Sequence, residues 1–300
     1  MKKHAILFVQ AFAMIAFLSG CSKEAAFHRS VSLEGQSNFR DIGGYETLDG
    51  HRVKTGIVYR SGELHALSDQ DLEKLQSLNI KTVVSFLAPL EIQRRGADRI
   101  PSEAREVHLP IDAGGGLVKE VSKARRTGDF SKIPADLNPK FHELLVVEAR
   151  EQYAALIREI IRSDGQPLVY HCSHGIHRTG TATAIILYAI GVPWETIRQD
   201  YLLSNQTRAK EIEKRTAQLR VAAAKTLDIN ESEVDMTNID AFYILKGDYI
   251  DGVLNEIEKK YGGIENYLEK GLGLSQSEIN KLSEILLSQT NLTLRKGRKP

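Results

Sequence analysis

The 300-residue sequence predicts an α/β fold, with a central, mostly parallel sheet flanked by helices and an added C-terminal helical layer. Short apolar segments alternate with helical patterns along the first two thirds of the chain, as they do where helical crossovers join parallel strands. After Asn205 the pattern is almost wholly helical. About 280 residues remain once a predicted N-terminal signal peptide is removed, which is enough to bury one large core of this kind.

The individual elements follow from local patterns. Parallel strands are expected near residues 57, 83, 107 and 169. A helix over 69–78 begins at the capping residue Ser68 and carries Leu72, Leu75 and Leu78 on one face. Further helices are expected over 90–95, 138–162, 181–190, 206–227, 246–260, 264–270 and 276–289.

One stretch joins a predicted strand to a predicted helix and carries a reactive pattern, His171-Cys172-Ser173-His174-Gly175-Ile176-His177-Arg178-Thr179-Gly180. Five residues separate Cys172 from Arg178, enough for a loop to wrap around one tetrahedral oxyanion. Its backbone N–H groups and the positive end of the next helix would point at that anion. The same field favours a thiolate at Cys172, and Arg178 can hold two phosphate oxygens.

Two other interpretations of this stretch are available. Cys172 could be a buried structural cysteine that lies six positions before an arginine by chance, although the full sequence context is more specific than that spacing alone. His171, Cys172, His174 and His177 could also bind a metal, but side chains of a tight anion-binding loop splay outwards. We therefore expect a phosphate site with no metal and no other cofactor.

Residues 1–20 are predicted to be a lipoprotein signal peptide. Two lysines precede an apolar run over residues 5–18, which is too short to span a bilayer as a stable helix. The run ends in Leu18-Ser19-Gly20-Cys21, which resembles a bacterial lipobox and implies lipid attachment at Cys21. An ordinary secretory signal with a coincidental cysteine is the alternative. The expected location is the cell envelope, on the outer membrane, its periplasmic side or the cell surface, with the lipid as the only membrane contact.

Cysteine and charge counts agree with this assignment. The sequence has two cysteines, so a lipid on Cys21 would leave Cys172 without a partner in the chain, as a reactive thiol. Without the signal peptide, 38 of the 40 basic residues remain against 39 acidic ones, a net charge of −1. This offers no general attraction to nucleic acid. Residues 21–35 are expected to be a tether and 291–300 a short, solvated basic tail.

Two further segments carry polar residues at structured positions. The segment Asn38-Phe39-Arg40-Asp41-Ile42-Gly43-Gly44-Tyr45 combines a glycine pair with polar side chains. The segment 56–64 is predicted to be a strand that brings Arg60 and Ser61 to its carboxyl end, where ligands bind in open α/β sheets.

Together with the cysteine loop, these segments resemble the bacterial and fungal tyrosine-protein and lipid phosphatases of the cysteine-based phosphatase superfamily. Such chains carry Asn-Phe-Arg-Asp-hydrophobic-Gly-Gly, then Arg-Ser-Gly, then His-Cys-x5-Arg-Thr-Gly. The resemblance continues through residues 191–194, 200–205 and 267–275. It implies a single phosphatase domain over 36–290. The segment 206–250, which varies in that family, can cover the active site, although a merely solvated helix face is an equal alternative.

The resemblance implies that phosphate monoesters are hydrolysed through a phosphocysteine. Cys172 is the expected nucleophile, Arg178 the clamp on the phosphate oxygens, and Thr179 a hydrogen-bond donor that helps the sulfur leave. Asp112 lies beside a glycine-rich segment and is the expected general acid, with a plain turn residue as the alternative. The expected phosphate-binding loop comprises Ser173, His174, Gly175, Ile176, His177 and Arg178.

Five residues are expected to support the loop. Arg40 and Asp41 would brace it, and His171 would orient it and tune the thiolate. Arg60 is either a second anion contact or a structural ion-pair partner. The supporting set is Asn38, Arg40, Asp41, Arg60 and His171.

Two loop positions depart from the family pattern. Members with Gly-Lys-Asp-Arg have a lysine and an aspartate where this chain has Ile176 and His177. The missing lysine argues against highly phosphorylated lipid headgroups, although a protonated His177 could restore some charge below about pH 6.5. The expected substrate is a phosphorylated protein or small phosphoester, above all phosphotyrosine. The alternatives are a phosphoinositide or other phosphoester, or phosphate binding with weak turnover.

Overall fold

The computed structural model describes residues 29–288, so the predicted signal peptide, the Cys21 lipidation site and the tail 291–300 lie outside the described part. Its strands are β1 Arg40–Asp41, β2 Val58–Ser61, β3 Thr82–Ser85, β4 Arg105–His108 and β5 Leu168–His171. Its α-helices are α1 Asp69–Ser77, α2 Pro89–Arg95, α3 Gly115–Thr127, α4 Leu137–Glu148, α5 Arg150–Ser163, α6 His177–Ala189, α7 Trp194–Thr207, α8 Ala209–Leu227, α9 Thr237–Tyr243, α10 Gly247–Tyr261, α11 Ile264–Asn266 and α12 Gln276–Leu286. A short π-helix over Tyr267–Gly271 continues α11.

The strands form one sheet in the order β1-β2-β5-β3-β4. The short β1 is antiparallel to β2, and the other neighbouring strands are parallel. This confirms the predicted α/β fold with a mostly parallel sheet. The central strand β5 pairs His171 with Ser61 of β2 and with Ser85 of β3. The residues that follow His171 therefore leave the sheet between the carboxyl ends of two parallel strands.

The two faces of the sheet pack against different helices because successive strand residues point to opposite faces. Val84 and Tyr170 belong to the large core with α5 and α6. Val83 and Val169 belong to a second core beneath α1. The strands β2, β3 and β5 are buried on both faces, as parallel strands between helical layers are, whereas the edge strand β4 is largely exposed.

The predicted C-terminal helical layer is present, and α10 lies closely along α4. A Cβ at Gly252 of α10 would stand 2.4 Å from the Pro139 carbonyl oxygen, so only glycine allows this approach. The Tyr267 hydroxyl donates a hydrogen bond to the Val146 carbonyl of α4 at 2.8 Å. The C-terminal layer thus stabilises the helix that lies beside the cysteine loop.

The single long helix predicted over 138–162 is wrong. The structure has two helices, α4 and α5, with a bend at Ala149, where φ is −105° and ψ is 19°. Backbone hydrogen bonds still run from Ala149 to the Leu145 carbonyl and from Tyr153 to the Ala149 carbonyl. The apolar spacing therefore continues through the bend, which is why the sequence pattern does not reveal it.

Three helices were not predicted: α3, α7 and α9. The glycine-rich segment beside Asp112 gives no helical signal, yet Gly114, at φ +86°, is the residue from which α3 begins. The apolar sides of α3, α8 and α9 form a separate small core that includes Ala124, Leu219 and Phe242. The segment 206–250 therefore packs through an apolar face and is more than a solvated helix surface.

Residues 29–35 pack against the folded domain and do not form the predicted tether. The Asp71 carboxylate accepts hydrogen bonds at 2.8 Å from the backbone N–H groups of Glu34 and Gly35. Val31 donates a backbone hydrogen bond to the Phe39 carbonyl. The tether prediction for 29–35 is therefore wrong, because the polarity of these residues satisfies groups of the fold. Within residues 29–288, no helix has the length and apolar character needed to cross a membrane.

Candidate active site

The cysteine loop starts at the carboxyl end of β5 and is held by backbone hydrogen bonds. Phe86 donates to the His171 carbonyl at 2.9 Å, and Glu63 donates to the Ser173 carbonyl at 3.2 Å. Gly175 has φ +67°, and a Cβ there would lie 2.7 Å from the Ser61 carbonyl oxygen. Any side chain at this position would push the loop away from β2.

The Cys172 side chain is buried at the centre of the loop, only 3% exposed. Burial by itself raises the pKa of its thiol. The charge of Arg178, the Thr179 hydroxyl, and the backbone N–H groups of Thr179 and His174 outweigh burial and lower this pKa below its ordinary value. The loop therefore stabilises a negative charge at the sulfur, as a nucleophilic cysteine requires.

Glu91 fixes the guanidinium of Arg178. Arg178 Nη1 donates to Glu91 Oε2 at 2.6 Å and Nη2 donates to Glu91 Oε1 at 2.8 Å, which is a two-point contact. Nη1 also donates to the carbonyls of Phe86 at 2.9 Å and Ile111 at 3.3 Å. These contacts set the plane of the guanidinium beside Cys172.

Asn38 braces the loop directly. Its Nδ2 donates to the carbonyls of His174 at 3.1 Å and Gly175 at 3.2 Å. Arg40 Nη1 donates to Asn38 Oδ1 at 2.6 Å, so Arg40 acts on the loop through Asn38. The Thr207 hydroxyl donates to the same oxygen at 2.9 Å.

Arg60 lies in a buried ion-pair network behind the loop. Arg60 Nη1 donates to Asp200 Oδ2 at 2.6 Å, and Nη2 donates to the Gly175 carbonyl at 2.8 Å. Asp200 also pairs with Arg40 at 3.1 Å. Burial raises the pKa of the Asp200 carboxyl, but the charges of Arg40 and Arg60 hold it below its ordinary value. Of the two interpretations of Arg60, the structure favours the ion-pair partner.

Asp41 does not brace the loop, so that prediction is wrong. Its carboxylate accepts hydrogen bonds from the backbone N–H groups of Gly43 at 2.7 Å and Gly56 at 2.5 Å. It therefore stabilises the turn after β1. Asn38 and Asp41 belong to the same polar sequence segment, but their side chains contact different parts of the fold.

His171 is paired with a residue that the sequence did not single out. His171 Nε2 lies 2.8 Å from Asp98 Oδ2, and both side chains are almost fully buried. Burial lowers the pKa of His171, but the carboxylate of Asp98 and the adjacent Cys172 sulfur raise it above its ordinary value. The arrangement favours an imidazolium directly before Cys172.

His174 and His177 do not add charge to the loop. His177 Nε2 lies 2.6 Å from Asn138 Oδ1, so the ring points towards α4. Burial and nearby cationic groups hold the pKa of both histidines well below the ordinary value. The prediction that a protonated His177 could restore some positive charge below about pH 6.5 is therefore wrong, because its surroundings disfavour the charged ring.

Asp112 is exposed, and the preceding residue, Ile111, contacts Arg178 through its backbone carbonyl. The Ile111 carbonyl accepts a hydrogen bond from Arg178, and Ile111 N–H donates to the Phe86 carbonyl at 3.2 Å. On the other side of Asp112, Gly114 N–H donates to Glu148 Oε2 at 3.0 Å. These contacts hold the Asp112 backbone at the edge of the cysteine loop.

The histidines of the loop region face different neighbours. His171 faces Asp98, His174 lies 3.0 Å from the Ser173 hydroxyl, and His177 faces Asn138. Across residues 29–288, no three His, Cys, Asp or Glu side chains are placed to share a metal ion.

Sequence reasoning missed Glu91, Asp98 and Asn138 as parts of the site. Glu91 is the third residue of α2, after Pro89, a position that predicts a helix-capping carboxylate, and its side chain also accepts from Ala88 N–H at 2.9 Å. No local signal marks Asp98 or Asn138, because their partners lie far away in the sequence. Asp200 belongs to the range 200–205 that resembles the family, but the resemblance implies no separate role for it.

Comparison with known proteins identifies the family. The sequence profile described as "Tyrosine phosphatase family" matches residues 31–288. A Cupriavidus necator protein provisionally named a tyrosine-protein phosphatase is 29% identical over 250 residues, which cover 81% of this chain and 84% of that protein. The triple specificity protein phosphatase PtpB of Mycobacterium tuberculosis is 27% identical over 278 residues, covering 85% of this chain and 98% of PtpB.

A solved structure was also found, that of TpbA from P. aeruginosa. It is 19% identical, covers 60% of this chain and 89% of TpbA, and superposes with a TM-score of 0.31. The family profile and the two relatives confirm the predicted enzyme class, a phosphoric monoester hydrolase. Because the family profile matches residues 31–288, the chain belongs to the tyrosine phosphatase family.

Proposed function

We propose that this enzyme hydrolyses phosphate monoesters through a phosphocysteine at Cys172. One observation carries the proposal: a buried thiol whose pKa is lowered by Arg178 and by loop N–H groups, at the end of the central strand. The Cys172 sulfur attacks phosphorus and forms the S–P bond while the bond from phosphorus to the leaving oxygen breaks. Asp112 gives its proton to that oxygen.

Water completes the reaction in the second step. Its oxygen attacks phosphorus, the S–P bond breaks, and Cys172 recovers its thiolate. Asp112, now a carboxylate, accepts the proton of the water. The Thr179 hydroxyl lowers the pKa of Cys172 and therefore favours departure of the sulfur as an anion. Arg178 and the loop N–H groups stabilise the phosphoryl oxygens in both steps.

We infer an aryl phosphate of the phosphotyrosine type as the preferred substrate. Turnover of p-nitrophenyl phosphate by the purified chain tests the proposed activity, and stoichiometric trapping of radiolabelled phosphate on the protein tests the covalent intermediate. Phosphate binding without turnover would leave only a phosphate-binding module and refute the proposed activity in this chain.

The buried Asp98–His171 pair should set the acidic limb of the pH–rate profile. Replacing Asp98 with Asn removes the charge that favours the His171 imidazolium, so the pKa of Cys172 should rise. We expect the acidic limb of kcat/KM to move up by about one pH unit, with activity recovered above it. Asp69→Asn, on an exposed carboxylate, is the matched control. An equal loss of activity at every pH would mean that Asp98 has only a structural role.

We propose that lipid on Cys21 anchors the enzyme at the cell envelope. Cys21→Ala should move the protein from the membrane fraction to the soluble fraction, because acyl chains hold such a domain without a spanning helix. Cell fractionation with a high-salt wash measures the change. Cys172→Ser, which keeps Cys21, is the control and should stay with the membranes. A Cys21→Ala protein that still sediments after the wash would refute the anchor.

A further inference from the structure

Arg208 is a fully buried cation next to the cysteine loop. It follows Thr207, whose hydroxyl donates a hydrogen bond to Asn38. Asn38 in turn donates hydrogen bonds to the loop carbonyls of His174 and Gly175. The Arg208 side chain is 1% exposed. Its Nε and Nη2 donate to Glu211 at 3.2 and 3.0 Å, whereas its buried Nη1 has no hydrogen-bond partner among the described residues.

Arg125 of α3 is a second cation on the same side of the loop. Its guanidinium carbon lies 5.2 Å from the ring centre of Phe242. The Phe242 ring also neighbours His177, whose ring centre is 6.2 Å away. Its guanidinium carbon also lies 5.9 Å from the ring centre of Tyr243. Within residues 29–288, Arg125 forms no ion pair with a carboxylate, and its buried Nε has no hydrogen-bond partner. The second guanidinium is therefore less neutralised than the first.

Packing places both cations beside groups that contact the loop: Arg125 lies against Phe242, a neighbour of His177, and Arg208 follows Thr207, whose hydroxyl contacts Asn38. Arg125 and Arg208 each contribute to lowering the pKa of His174 on one side of Gly175 and of His177 on the other. One guanidinium thus comes from α3 and the other from the junction of α7 with α8. The loop has Ile176 where related chains have a lysine, and these arginines supply positive charge there from other parts of the fold.

Resting on the proposed function, we propose that Arg125 and Arg208 form a second anion subsite, which binds another phosphate group of the substrate whose first phosphate is attacked by Cys172. The unpartnered Nη1 and Nε donors suit a phosphate dianion, since guanidinium groups form strong charge-assisted hydrogen bonds to phosphate oxygens. A buried donor without a partner is unfavourable, and a bound phosphate oxygen would remove that cost. Among aryl phosphates, those that carry a second phosphate group should therefore be the best substrates.

The test compares monophosphates and bisphosphates on one aromatic ring. The 1,2-, 1,3- and 1,4-benzenediol bisphosphates are measured against the corresponding hydroxyphenyl monophosphates, with kcat/KM expressed per phosphate group. At the best spacing, the wild-type enzyme should prefer the bisphosphate by about tenfold or more, the effect of one charged hydrogen bond. Arg125→Gln and Arg208→Gln should each reduce this preference to about two- to threefold or less, again as expected for loss of such a bond.

Arg126→Gln is the matched control, because it removes an exposed positive charge from the same helix as Arg125. It should leave the preference unchanged, which excludes a general effect of net charge. If Arg208→Gln fails to fold because Glu211 loses its partner, Arg125→Gln decides the question, since no ion pair is broken there.

Two results would overturn the subsite: no preference at any spacing in the wild-type enzyme, or a preference that survives in every folded variant. Failure of the proposed function is a distinct result. In that case the wild-type enzyme would hydrolyse neither the monophosphates nor the bisphosphates. Hydrolysis of both classes at equal rates would refute only the second subsite.

Discussion

Cys172→Ser should lower kcat by on the order of 10⁵-fold or more, as expected when an enzymic nucleophile is removed. Serine keeps the size of the side chain but not its acidity, so the hydroxyl stays protonated where the thiol of Cys172 ionises. The loop N–H groups and Arg178, which is fixed by Glu91, remain in place. The variant should therefore still bind inorganic phosphate while it no longer turns over substrate.

Two measurements separate these effects. Turnover of p-nitrophenyl phosphate reports the chemistry, and the phosphate-dependent rise in Tm reports binding, because a ligand that binds only the folded state stabilises it. Cys21→Ala is a suitable control, since it removes the other cysteine of the sequence and leaves Cys172 in place. Appreciable residual turnover in a Cys172→Ser preparation free of wild-type enzyme would rule out covalent catalysis by this residue.

The elements around the loop could be predicted because their signals are local. A buried apolar strand, a Cys-x5-Arg segment and a following helix lie within about 25 consecutive residues, and the α/β alternation then fixes which edge of the sheet carries the loop. The positions of Cys172 and Arg178 follow from this local geometry.

The groups that hold the site could not be predicted in the same way, because they come from distant segments. Asp98 pairs with His171, and Glu91 pairs with Arg178. The two carboxylates precede β4 in the chain, whereas their partners follow it. Their roles depend on packing between elements, which periodicity does not describe. His177 shows the converse. Its ordinary pKa indicated a charge below about pH 6.5, but burial against α4 and α9 lowers the pKa of His177 well below that value.

The same reasoning changes what Ile176 implies about specificity. The sequence alone indicated lost positive charge beside the phosphate, because the lysine of related chains is missing. The fold places Arg125 against Phe242, a neighbour of His177, and Arg208 next to Thr207, whose hydroxyl contacts Asn38. The bisphosphate comparison therefore tests a preference that the loop sequence alone argued against.

Asp112→Asn should have an effect that depends on the leaving group. A general acid matters most where the departing oxygen is strongly basic, and such a donor contributes about 10²–10⁴-fold. We therefore expect a loss of that size for phenyl or alkyl phosphates and a much smaller one for esters of acidic phenols. With the acidic esters the phosphocysteine should still form, but its hydrolysis should slow because the base is missing, so a burst of released phenol should precede a slower steady state.

A series of aryl phosphates of increasing phenol pKa measures this dependence, as the slope of log kcat/KM against that pKa. The slope should become steeper in Asp112→Asn than in the wild-type enzyme. Asp136→Asn, an exposed carboxylate that pairs with Lys140 at the start of α4, is the control and should leave the slope unchanged. An equal loss for good and poor leaving groups would make Asp112 a loop-positioning residue. His177 is then a poor substitute as the acid, because its pKa is held well below the ordinary value and its ring is directed at Asn138.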